Sequence, residues 1–391
     1  MEIKRICIVT ETFSPEINGV ANTLNHLVQG LRDKAIQVQI IRPQHPAGAN
    51  EEAGLHTDWV RSMSIPGYSE LRMGLPTQRE VKRQLQAFDP QVIYVATEGP
   101  LGFVAVKAAR KLNIPVLSGF HTNFHQYFRH YHLGLLTPLA YRYLRYFHNK
   151  TQGTIVPTQE QAAELTRVGF ANMQVLSRGV NAALFNPQKR DKQLRRQWGL
   201  DDEDVAVIYV GRLAAEKNIA LAIESFRQMK HEDVRVKLIM VGDGPLAEKL
   251  ADENPGVIFT GAQRGEDLAR HYASADIFLF PSLTDTFGNV VLEAMASGLA
   301  VVAFDYAAAR SNIQSDENGI LIPFADEGRF AERSQSLVDQ PNLLRQIRHK
   351  ARQHAETLRW EAIVEQFTRQ LRGIITGDMQ NGSVKKSVTV S

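Results

Sequence analysis

Short apolar runs recur along the first half of the chain and alternate with stretches of helical periodicity. Most of these runs lack the alternating polar positions of a half-exposed strand, which is typical of a parallel sheet covered by helices on both faces. Helical patterns lie between several of them, for example over Asn22–Asp33 and Leu101–Leu112. The predicted strands of this half are Arg5–Val9, Val38–Ile41, Val92–Val95, Val116–Ser118 and Thr154–Val156.

The same alternation of apolar runs and helical patterns repeats in the second half, where helices are predicted over Ile219–Met229 and Gly288–Ala296. Alternating strands and helices favour a doubly wound sheet, and two sets of them predict two such domains. A chain of 391 residues also exceeds what a single core usually supports. The predicted fold class is therefore α/β, with two Rossmann-like parallel sheets. The predicted strands of this half are Val205–Val210, Val236–Val241, Val257–Phe259, Ile277–Phe280 and Ala300–Ala303.

The segment RGVNAALFNP, residues 178–187, marks the predicted domain boundary because it follows a strand and interrupts the alternation. It precedes a polar helix that is predicted over Lys189–Trp198. We therefore expect an N-terminal domain over residues 1–178 and a C-terminal domain over residues 179–363. Residues 378–391 lack apolar periodicity and are expected to be disordered.

The composition narrows the class of protein. Apolar residues make up 43% of the chain and charged residues 22%, as in ordinary globular proteins, and a net charge of +3 gives no global attraction to nucleic acid. No window reaches the ~20 apolar residues that cross a bilayer, and the N-terminus does not resemble a signal peptide. The single cysteine, Cys7, excludes a disulfide framework and a cysteine zinc site, and it fits a reducing compartment. A cytoplasmic protein, soluble or at most lying on a membrane surface, is expected.

Charge is distributed unevenly, since no acidic residue occurs between Glu98 and Glu160. Residues 125–150 combine cations with aromatic side chains, and residues 137–150 are predicted to form a helix with one stripe of each. Such a helix suits an anionic membrane interface, and ordinary packing on the protein's own sheet explains it equally well. Binding of single-stranded nucleic acid is disfavoured because no other nucleic-acid motif occurs. The two stripes are Leu139, Tyr143, Tyr146 and Phe147, and Arg142, Arg145 and Lys150.

Candidate sites follow the strands, because ligands bind at the carboxyl ends of strands in open α/β sheets. The segment after the first strand lacks the G-x-G-x-x-G pattern of a dinucleotide site. It ends near Gly19, where a helix is predicted and where backbone N–H groups can approach a phosphate. A plain left-handed turn is the alternative interpretation.

Two cations follow the first strand of the second half. Arg212 lies at the strand end, and Lys217 lies at the start of the next helix, where a cation opposes the helix dipole by ~0.3–1 kcal/mol. A bound diphosphate would compensate that cost, whereas a solvated pair of surface cations is the alternative. The turn VGDGP, residues 241–245, is more typical of a loop without a ligand role.

His121 follows another predicted strand, in SGFHTNFHQYF. His121 and His125 have helical spacing, but no carboxylate lies nearby to complete a zinc site. A contact with a substrate hydroxyl is favoured over the metal site, and a packed histidine is the remaining interpretation.

The segment SLTDTFGNVVLEA, residues 282–294, contains two acids, Asp285 and Glu293. A pair of carboxyl groups that hydrolyses a glycosidic bond lies ~5–9.5 Å apart across that bond. These two acids instead lie along one element, so they suit two hydroxyl-bearing parts of one extended ligand. Backbone N–H groups at the start of the helix would point between them. These groups belong to Phe287, Gly288 and Asn289.

Together and in this order, the motifs resemble the retaining nucleotide-sugar glycosyltransferases of family 4, whose GT-B architecture has two Rossmann-like domains facing a cleft. The resemblance covers residues 6–367 and is carried by ETFSPEINGV, HTNF, RGVNAALFNP, YVGRLAAEKN, VGDGP, FTG and YASADIFLFPSLTDTFGNVVLEAMASGLAVVA. PGYSELRMGLP and Asn-Gly-Val favour the bacterial branch that attaches mannosyl, glucosyl or sulfoquinovosyl groups to membrane lipids. The resemblance implies an N-terminal acceptor domain, onto which the final helix, residues 364–377, packs back, and a C-terminal nucleotide-sugar domain.

The resemblance also implies catalytic roles. The backbone at Gly19 would reach the distal phosphate, and Arg212 and Lys217 would stabilise the departing diphosphate. His121 would face the sugar and its anomeric carbon. No metal or other cofactor is implied, since the two cations replace a metal ion.

The two acids occupy the acidic positions of the family's E-x7-E motif. Glu293 would bind the nucleotide ribose, and Asp285, which is Asp instead of the usual Glu, would contact the sugar. The implied reaction moves a hexosyl group from GDP-mannose or a UDP-hexose to a lipid or glycolipid hydroxyl at the inner face of the plasma membrane. A soluble acceptor, or a nucleotide-sugar epimerase or phosphorylase on the same scaffold, is the alternative. Beside the sugar would lie the amides of Phe287, Gly288 and Asn289.

Overall fold

The chain forms two compact units. The computed structural model describes residues 2–14, 16, 19–44, 55–65, 68–120, 137–229, 235–285 and 287–378. Unit 1 comprises Met1–Arg178 and Trp360–Ser391, and unit 2 comprises Gly179–Arg359. The chain thus leaves unit 1 inside the RGV sequence and returns to it at Trp360. The predicted tail, apart from Asp378, lies outside the described residues.

Unit 1 contains a seven-stranded parallel sheet with the order β3-β2-β1-β6-β7-β8-β9, and a separate antiparallel pair, β4 and β5. At its centre, Ile6 is in register with Val38 on one side and with Val92 on the other. The strands are β1 (Arg5–Val9), β2 (Gln37–Pro43), β3 (His56–Val60), β4 (Ser62–Ile65), β5 (Tyr68–Gly74), β6 (Val92–Val95), β7 (Val116–Gly119), β8 (Gly153–Val156) and β9 (Met173–Val175).

Helices cover both faces of this sheet. Ile6 and Ile8 face one hydrophobic cluster, while Cys7 and Val9 face another, because successive side chains of a strand alternate. Both faces are therefore apolar, which explains the unbroken apolar runs of the sequence. The helices of unit 1 are α1 (Gly19–Asp33), α2 (Gln78–Phe88), α3 (Pro100–Lys111), α4 (Thr137–His148), α5 (Gln159–Arg167) and the C-terminal α14 (Trp360–Thr376).

The C-terminal helix α14 is part of the core of unit 1. Trp360 stacks on His26 of α1 at 4.4 Å between ring centroids, and Phe367 contacts Tyr94 of β6 edge-on at 5.0 Å. A side chain at Gly30 would collide with Val364, so α1 and α14 approach closely only because residue 30 is glycine. The helix therefore fixes the end of the chain to the first unit.

Unit 2 contains a six-stranded parallel sheet with the order β12-β11-β10-β13-β14-β15. This is the Rossmann order, in which the direction of winding reverses between the first and fourth strands, here β10 and β13. The two doubly wound parallel sheets confirm the predicted fold class. The strands are β10 (Val205–Val210), β11 (Val236–Val241), β12 (Ile258–Phe259), β13 (Ile277–Phe280), β14 (Ala300–Phe304) and β15 (Ile320–Ile322).

The helices of unit 2 lie on both faces of its sheet. The predicted start of the polar helix at Lys189 was wrong, because the helix begins only after Asp191. The Asp191 carboxylate accepts hydrogen bonds from the N–H groups of Gln193 and Leu194, so the α-helix begins at Lys192. The helices are α6 (Lys192–Gln197), α7 (Ile219–Gln228), α8 (Ala247–Glu253), α9 (Gly265–Ser274), α10 (Asn289–Ala296), α11 (Ala307–Asn312), α12 (Glu327–Asp339) and α13 (Pro341–Thr357).

Across the part of the chain that the structure describes, no helix is both long and apolar enough to cross a membrane.

Candidate active site

The predicted donor residues of unit 2 gather where the winding of its sheet reverses. Arg212 and Lys217 follow β10, and Asp285 follows the neighbouring strand β13. The helices after these two strands lie on opposite faces, so their loops diverge and leave a crevice at the carboxyl ends of the strands. This is the position at which open α/β sheets bind ligands.

The most direct contact in this crevice is an ion pair. Lys217 Nζ lies 2.8 Å from Asp285 Oδ1, and the two side chains are only 20% and 17% exposed. The Thr284 hydroxyl also donates to the carbonyl of Glu216 at 3.4 Å, which joins the same two loops. The cation that seemed unfavourable at the start of α7 thus has a carboxylate partner, supplied by a loop 68 residues away.

Arg212 is held differently from Lys217. Its side chain is 63% exposed, and its only described ion pair is a long contact of 3.8 Å with Glu216. Its backbone is fixed, because the buried Tyr209 hydroxyl donates to the Arg212 carbonyl at 3.2 Å. Arg212 therefore combines a positioned backbone with a guanidinium that can reach a ligand.

The VGDGP turn supports the Arg212 loop from behind. Leu213 N–H donates to the Asp243 carbonyl at 2.9 Å, and Leu246 N–H donates to the Leu213 carbonyl at 3.0 Å. A Cβ at Gly242 would lie well under 3.0 Å from the Gly211 carbonyl, a distance that real Cβ atoms do not show. The glycines of this turn therefore allow close backbone contact, and their evident role is to shape the site.

The loop before α10 is fixed by its own backbone. Gly288, the N-cap residue, has φ +89°, a left-handed conformation that glycine adopts without strain. The Phe287 side chain is 1% exposed, and its carbonyl accepts from Ala308 N–H at 2.8 Å. Asn289 is the first helical residue. Phe287 thus anchors the loop in the core, and donor contacts through the amides of residues 287–289 stay a prediction.

Glu293 lies one turn into α10 and contacts a buried tyrosine. The Tyr272 hydroxyl donates to Glu293 Oε2 at 3.2 Å. Burial raises the pKa of Glu293 to about 7, although the hydrogen bond from Tyr272 opposes this shift. Burial and the nearby Glu293 also raise the pKa of Tyr272, so its hydroxyl stays protonated. Each acid of the motif therefore has its own partner, Lys217 for Asp285 and Tyr272 for Glu293.

In unit 1, Gly19 is the first residue of α1, and its contact with a phosphate stays a prediction. The Arg178 guanidinium donates to the Gly19 carbonyl at 3.2 Å, and burial lowers the pKa of Arg178 to about 10. A buried cation therefore lies directly behind the start of this helix. His121 falls outside the described residues, so its predicted role stays a prediction.

Helix α4 presents an apolar face to solvent. Leu139, Tyr143 and Tyr146 are 65%, 40% and 52% exposed. Phe147 was wrongly assigned to their stripe, since it is buried together with Leu144. Packing within the unit therefore explains Phe147 and, through ring contacts with Phe103 of α3, part of Tyr143 and Tyr146. Leu139 and the remaining surface of both tyrosines stay exposed. The predicted cationic stripe is exposed as well: Arg142, Arg145 and Lys150.

Several supporting residues were missed by sequence reasoning. Tyr209, Tyr272 and Tyr306 contact the site residues, the last through a 2.6 Å hydrogen bond from its hydroxyl to the Asp285 carbonyl. A tyrosine within an apolar strand or helix is usually interpreted as a core residue, so the available signal was that Tyr209 and Tyr272 begin two of the quoted motifs. No group of three metal-ligating side chains is found among the described residues.

Comparison with known proteins identifies the family. Residues 17–184 match the model described as Glycosyltransferase Family 4, and residues 190–354 match glycosyl transferases group 1. A GDP-mannose-dependent alpha-mannosyltransferase of Mycobacterium tuberculosis is 33% identical over 346 residues, covering 86% of this chain and 88% of the relative. An alpha-monoglucosyldiacylglycerol synthase of Streptococcus pneumoniae is 29% identical over 319 residues, covering 76% of this chain and 70% of the relative. The structure of Anabaena HepE in complex with UDP, 18% identical, shares the fold with a TM-score of 0.76 over 94% of this chain and all of that one.

Proposed function

We propose a reaction for this chain from the premise that it belongs to glycosyltransferase family 4. It transfers a hexosyl group from GDP-mannose or a UDP-hexose to an acceptor hydroxyl and retains the anomeric configuration. The observation that carries the proposal is the ion pair of Lys217 with Asp285, beside the exposed Arg212, at the ligand-binding end of the unit 2 sheet.

The ion pair gives the site a positioned cation before any ligand binds. In the proposed complex, Lys217 Nζ and the Arg212 guanidinium bind the diphosphate, while Asp285 accepts hydrogen bonds from sugar hydroxyls. Glu293 accepts hydrogen bonds from the ribose, one turn further along α10. Because Lys217 is held by Asp285, little reorganisation is needed when charge develops on the leaving group.

The chemical step breaks the bond between the anomeric carbon and the distal phosphate oxygen. The acceptor oxygen bonds to the anomeric carbon on the face that the diphosphate leaves, and its proton passes to a departing phosphate oxygen. Arg212 and Lys217 stabilise the negative charge on that phosphate. We propose that no metal ion is required, because these two side chains supply the positive charge that the leaving group needs.

The proposed acceptor is a membrane lipid or glycolipid. The exposed side chains of Leu139, Tyr143 and Tyr146 on α4 provide an apolar face, flanked by exposed cations, and residues 99–159 contain no acid. Lys150 Nζ lies 5.2 Å from the Tyr146 ring centroid, so cations and aromatics are interleaved on this surface. Such a surface suits the interface of an anionic leaflet, here the inner face of the plasma membrane. The diacylglycerol product named for the Streptococcus pneumoniae relative supports the same acceptor class.

The experiment combines a donor panel with lipid acceptors. GDP-mannose, UDP-glucose and UDP-sulfoquinovose are first scored by thermal shift, where a donor at 100 times its Kd stabilises by ~2.7 kcal/mol. The binding donor is then incubated with vesicles of phosphatidylglycerol and phosphatidylcholine that contain diacylglycerol. Lys217→Ala should lower transfer about 10²–10³-fold, while Lys249→Ala, a matched change of an exposed lysine in the same unit, should not.

Other outcomes would replace the proposal. Unchanged turnover by a folded Lys217→Ala protein would contradict the role of the ion pair. Transfer to a water-soluble sugar, without transfer to lipid, would identify a soluble-acceptor enzyme. New sugar nucleotides formed without any acceptor would identify an epimerase, and a requirement for inorganic phosphate would identify a phosphorylase.

A further inference from the structure

The sheet of unit 1 also reverses its winding, between β1 and β6, and a carboxylate lies at that point. Glu11 follows β1, and its backbone N–H donates to the Thr97 hydroxyl, which follows β6, at 2.9 Å. The side chain is only partly exposed. The proposed reaction has not used this carboxylate, although it follows β1 as Arg212 follows β10, the strand on the same side of the reversal in the unit 2 sheet.

Both oxygens of Glu11 are held by backbone N–H groups. Oε2 accepts from Gly74, the last residue of β5, at 2.6 Å, and Oε1 accepts from Leu101 in the first turn of α3 at 3.1 Å. A carboxylate oxygen can accept more than one hydrogen bond, so each keeps capacity for a further donor. Within the part of the chain that the structure describes, the carboxylate is therefore fixed in place and keeps acceptor capacity.

Two glycines make room for this carboxylate. A Cβ at Gly99, the N-cap of α3, would lie well under 3.0 Å from Glu11 Oε1, and a Cβ at Gly74 would lie 3.2 Å from Oε2. Other helices of the same unit are capped more simply, by Thr77 for α2 and Thr158 for α5. A partly buried acid from another loop, with two glycines shaped around it, exceeds what capping α3 requires.

The ionised form of Glu11 is poorly stabilised as the site stands. Burial raises the pKa of Glu11 to about 7, against the two backbone hydrogen bonds that lower it, and the nearby Glu16 raises it further. A hydroxyl that donated to the carboxylate would favour the ionised form. The site is therefore suited to a neutral donor such as an alcohol.

Tyr143 connects this carboxylate with the exposed face of α4. Its hydroxyl donates to the Glu98 carbonyl at 2.6 Å, and its ring lies 6.2 Å from Phe103, between centroids. Burial raises the pKa of Tyr143, and the charges of Glu98 and Glu11 add to that shift. The residue after Glu98 is Gly99, where an added Cβ would meet Glu11 Oε1, so the Tyr143 hydroxyl and Glu11 contact the same turn. The side of α4 proposed to contact lipid thus adjoins Glu11.

A buried polar chain holds α4 in that position. His148, at the end of the helix, lies 3.3 Å from the Glu98 carboxylate through Nε2 and 2.9 Å from the Ser118 hydroxyl through Nδ1. All three side chains are at most 5% exposed. Their burial excludes a hydrolytic role for this serine, histidine and glutamate, and their evident effect is to fix the distance between α4 and the loop after β6.

From this geometry we propose that Glu11 is the residue that binds and orients the attacking hydroxyl of the acceptor lipid. The inference rests on the proposed function, since it assumes a lipid acceptor whose apolar part contacts α4. A lipid seated against Leu139, Tyr143 and Tyr146 presents its headgroup beside Tyr143. The Glu11 carboxylate accepts the hydrogen bond of the headgroup hydroxyl while the acceptor is being positioned. As the acceptor oxygen bonds to the anomeric carbon, this proton turns from Glu11 to the departing phosphate oxygen.

The test compares Glu11→Gln with Glu80→Gln in the full chain. Glu80 belongs to the exposed capping box of α2, so it is a matched loss of one helix-capping carboxylate in the same unit. With diacylglycerol in phosphatidylglycerol vesicles, Glu11→Gln should lower kcat/KM for the lipid about 10–100-fold. Donor binding by thermal shift and the slow hydrolysis of the donor by water should be unchanged, and Glu80→Gln should match the wild type.

The pH profile separates a binding role from a structural one. The wild-type kcat/KM for the lipid, measured at saturating donor so that Glu293 of the donor site adds no limb of its own, should rise with pH through an apparent pKa near 7. Glu11→Asp should keep this rising limb, and Glu11→Gln should lose it. Other ionisable groups on the surrounding elements could add their own limbs, but these would persist in Glu11→Gln. They are Glu16 with Arg42, Glu98 with His148, Tyr143, Arg72 and Lys107.

The outcomes are distinct. Two results would overturn the role of Glu11 but not the lipid acceptor. One is lipid transfer by Glu11→Gln at the wild-type rate, and the other is an equal loss of transfer and donor hydrolysis in that variant. A wild type that binds the donor but uses no vesicle acceptor would overturn the lipid acceptor and this inference together. A wild type that binds no nucleotide sugar would overturn the proposed function itself.

Discussion

Lys217 and Asp285 form an ion pair at 2.8 Å across the carboxyl ends of two neighbouring strands, with about four fifths of each side chain buried. The pair joins the loop after β10 to the loop after β13. It means that the cation proposed to bind phosphate and the acid proposed to bind sugar are mutually oriented by the protein. Their contributions to stability and to donor binding should therefore be coupled.

A double-mutant cycle measures this coupling. Asp285→Asn should lower the free energy of unfolding by about 1–3 kcal/mol, because Lys217 keeps a partly buried charge without its partner. Lys217→Met should have a similar cost, and the double variant should cost less than the sum of the two. Urea unfolding of the four proteins without ligand gives the coupling energy. Strict additivity would show that the pair contributes no interaction in solution.

The positions of the candidate donor residues could be predicted from sequence, but their pairing could not, and their roles in donor binding stay predictions. Arg212, Lys217, Asp285 and Glu293 were singled out because they follow strands of a recognisable order. Sequence distance gave no indication that Lys217 and Asp285 meet, since their contact depends on which strands are neighbours in the sheet. The supporting role of the VGDGP glycines could not be predicted from sequence either, because it arises from the close approach of two backbone segments in separate loops.

For the fold, central strands were predicted more accurately than edge strands. Arg5–Val9 and Val205–Val210 lie at the predicted bounds because both faces of a central strand are apolar. His56–Val60 was missed, since this strand lies at the edge of its sheet and three of its five residues are only partly buried. The hairpin of β4 and β5 was missed as well, and its described side chains include an exposed Met63 and the partly buried Arg72 and Met73. Hydrophobic periodicity reports burial, so it fails where the structure needs little burial.

The raised pKa of Glu293 predicts a pH-dependent stability. The folded state keeps this proton up to a pH of about 7, whereas the unfolded state releases it near the ordinary value of 4.5. Between these values the folded state binds more protons, so stability should fall as pH rises from about 4.5 to about 7. Glu293→Gln cannot ionise, and it should gain at most about 3 kcal/mol relative to the wild type between pH 4.5 and pH 8.

Urea unfolding of the wild type and Glu293→Gln at several pH values checks this expectation. Glu11 contributes a fall of the same sign, so the variant should keep part of the pH dependence. Glu266→Gln is the control, because its side chain is 71% exposed and it lies in the same unit. A difference between Glu293→Gln and the wild type that is constant with pH would show that Glu293 titrates normally.

The exposed face of α4 predicts binding to anionic vesicles. Leu139→Ser combined with Tyr146→Ser removes two apolar side chains that are more than half exposed, so the fold should tolerate the change. We expect vesicle affinity to fall at least about 10-fold. A large apolar side chain contributes ~1.5–3 kcal/mol of free energy when it is fully removed from water, and these two side chains would insert into the membrane only in part. Sedimentation with phosphatidylglycerol vesicles at low salt measures it.

Two further variants of unit 1 test whether the cations of α4 contribute to vesicle binding and whether α4 is the contact surface. Arg142→Gln should weaken vesicle binding about 5-fold at low salt, because each cation near an anionic membrane surface contributes ~1 kcal/mol of binding free energy. The effect should shrink as salt is added, since salt screens this attraction. Leu75→Ser, which changes a leucine that is 45% exposed outside α4, should bind like the wild type. Equal losses in Leu75→Ser and in the α4 variants would mean that α4 is not the contact surface.

The close backbone approach at Gly242 predicts a large effect from a single methyl group. Gly242→Ala places a Cβ against the Gly211 carbonyl, at a residue whose φ of +148° already disfavours a side chain, so the turn must shift. Because this turn hydrogen-bonds the backbone of Leu213, the shift should move Arg212 and weaken donor binding by thermal shift more than 10-fold. Gly256→Ala has open space around its Cβ and should leave both stability and donor binding unchanged. Wild-type donor affinity in a folded Gly242→Ala protein would show that the Arg212 loop holds its geometry without the VGDGP turn.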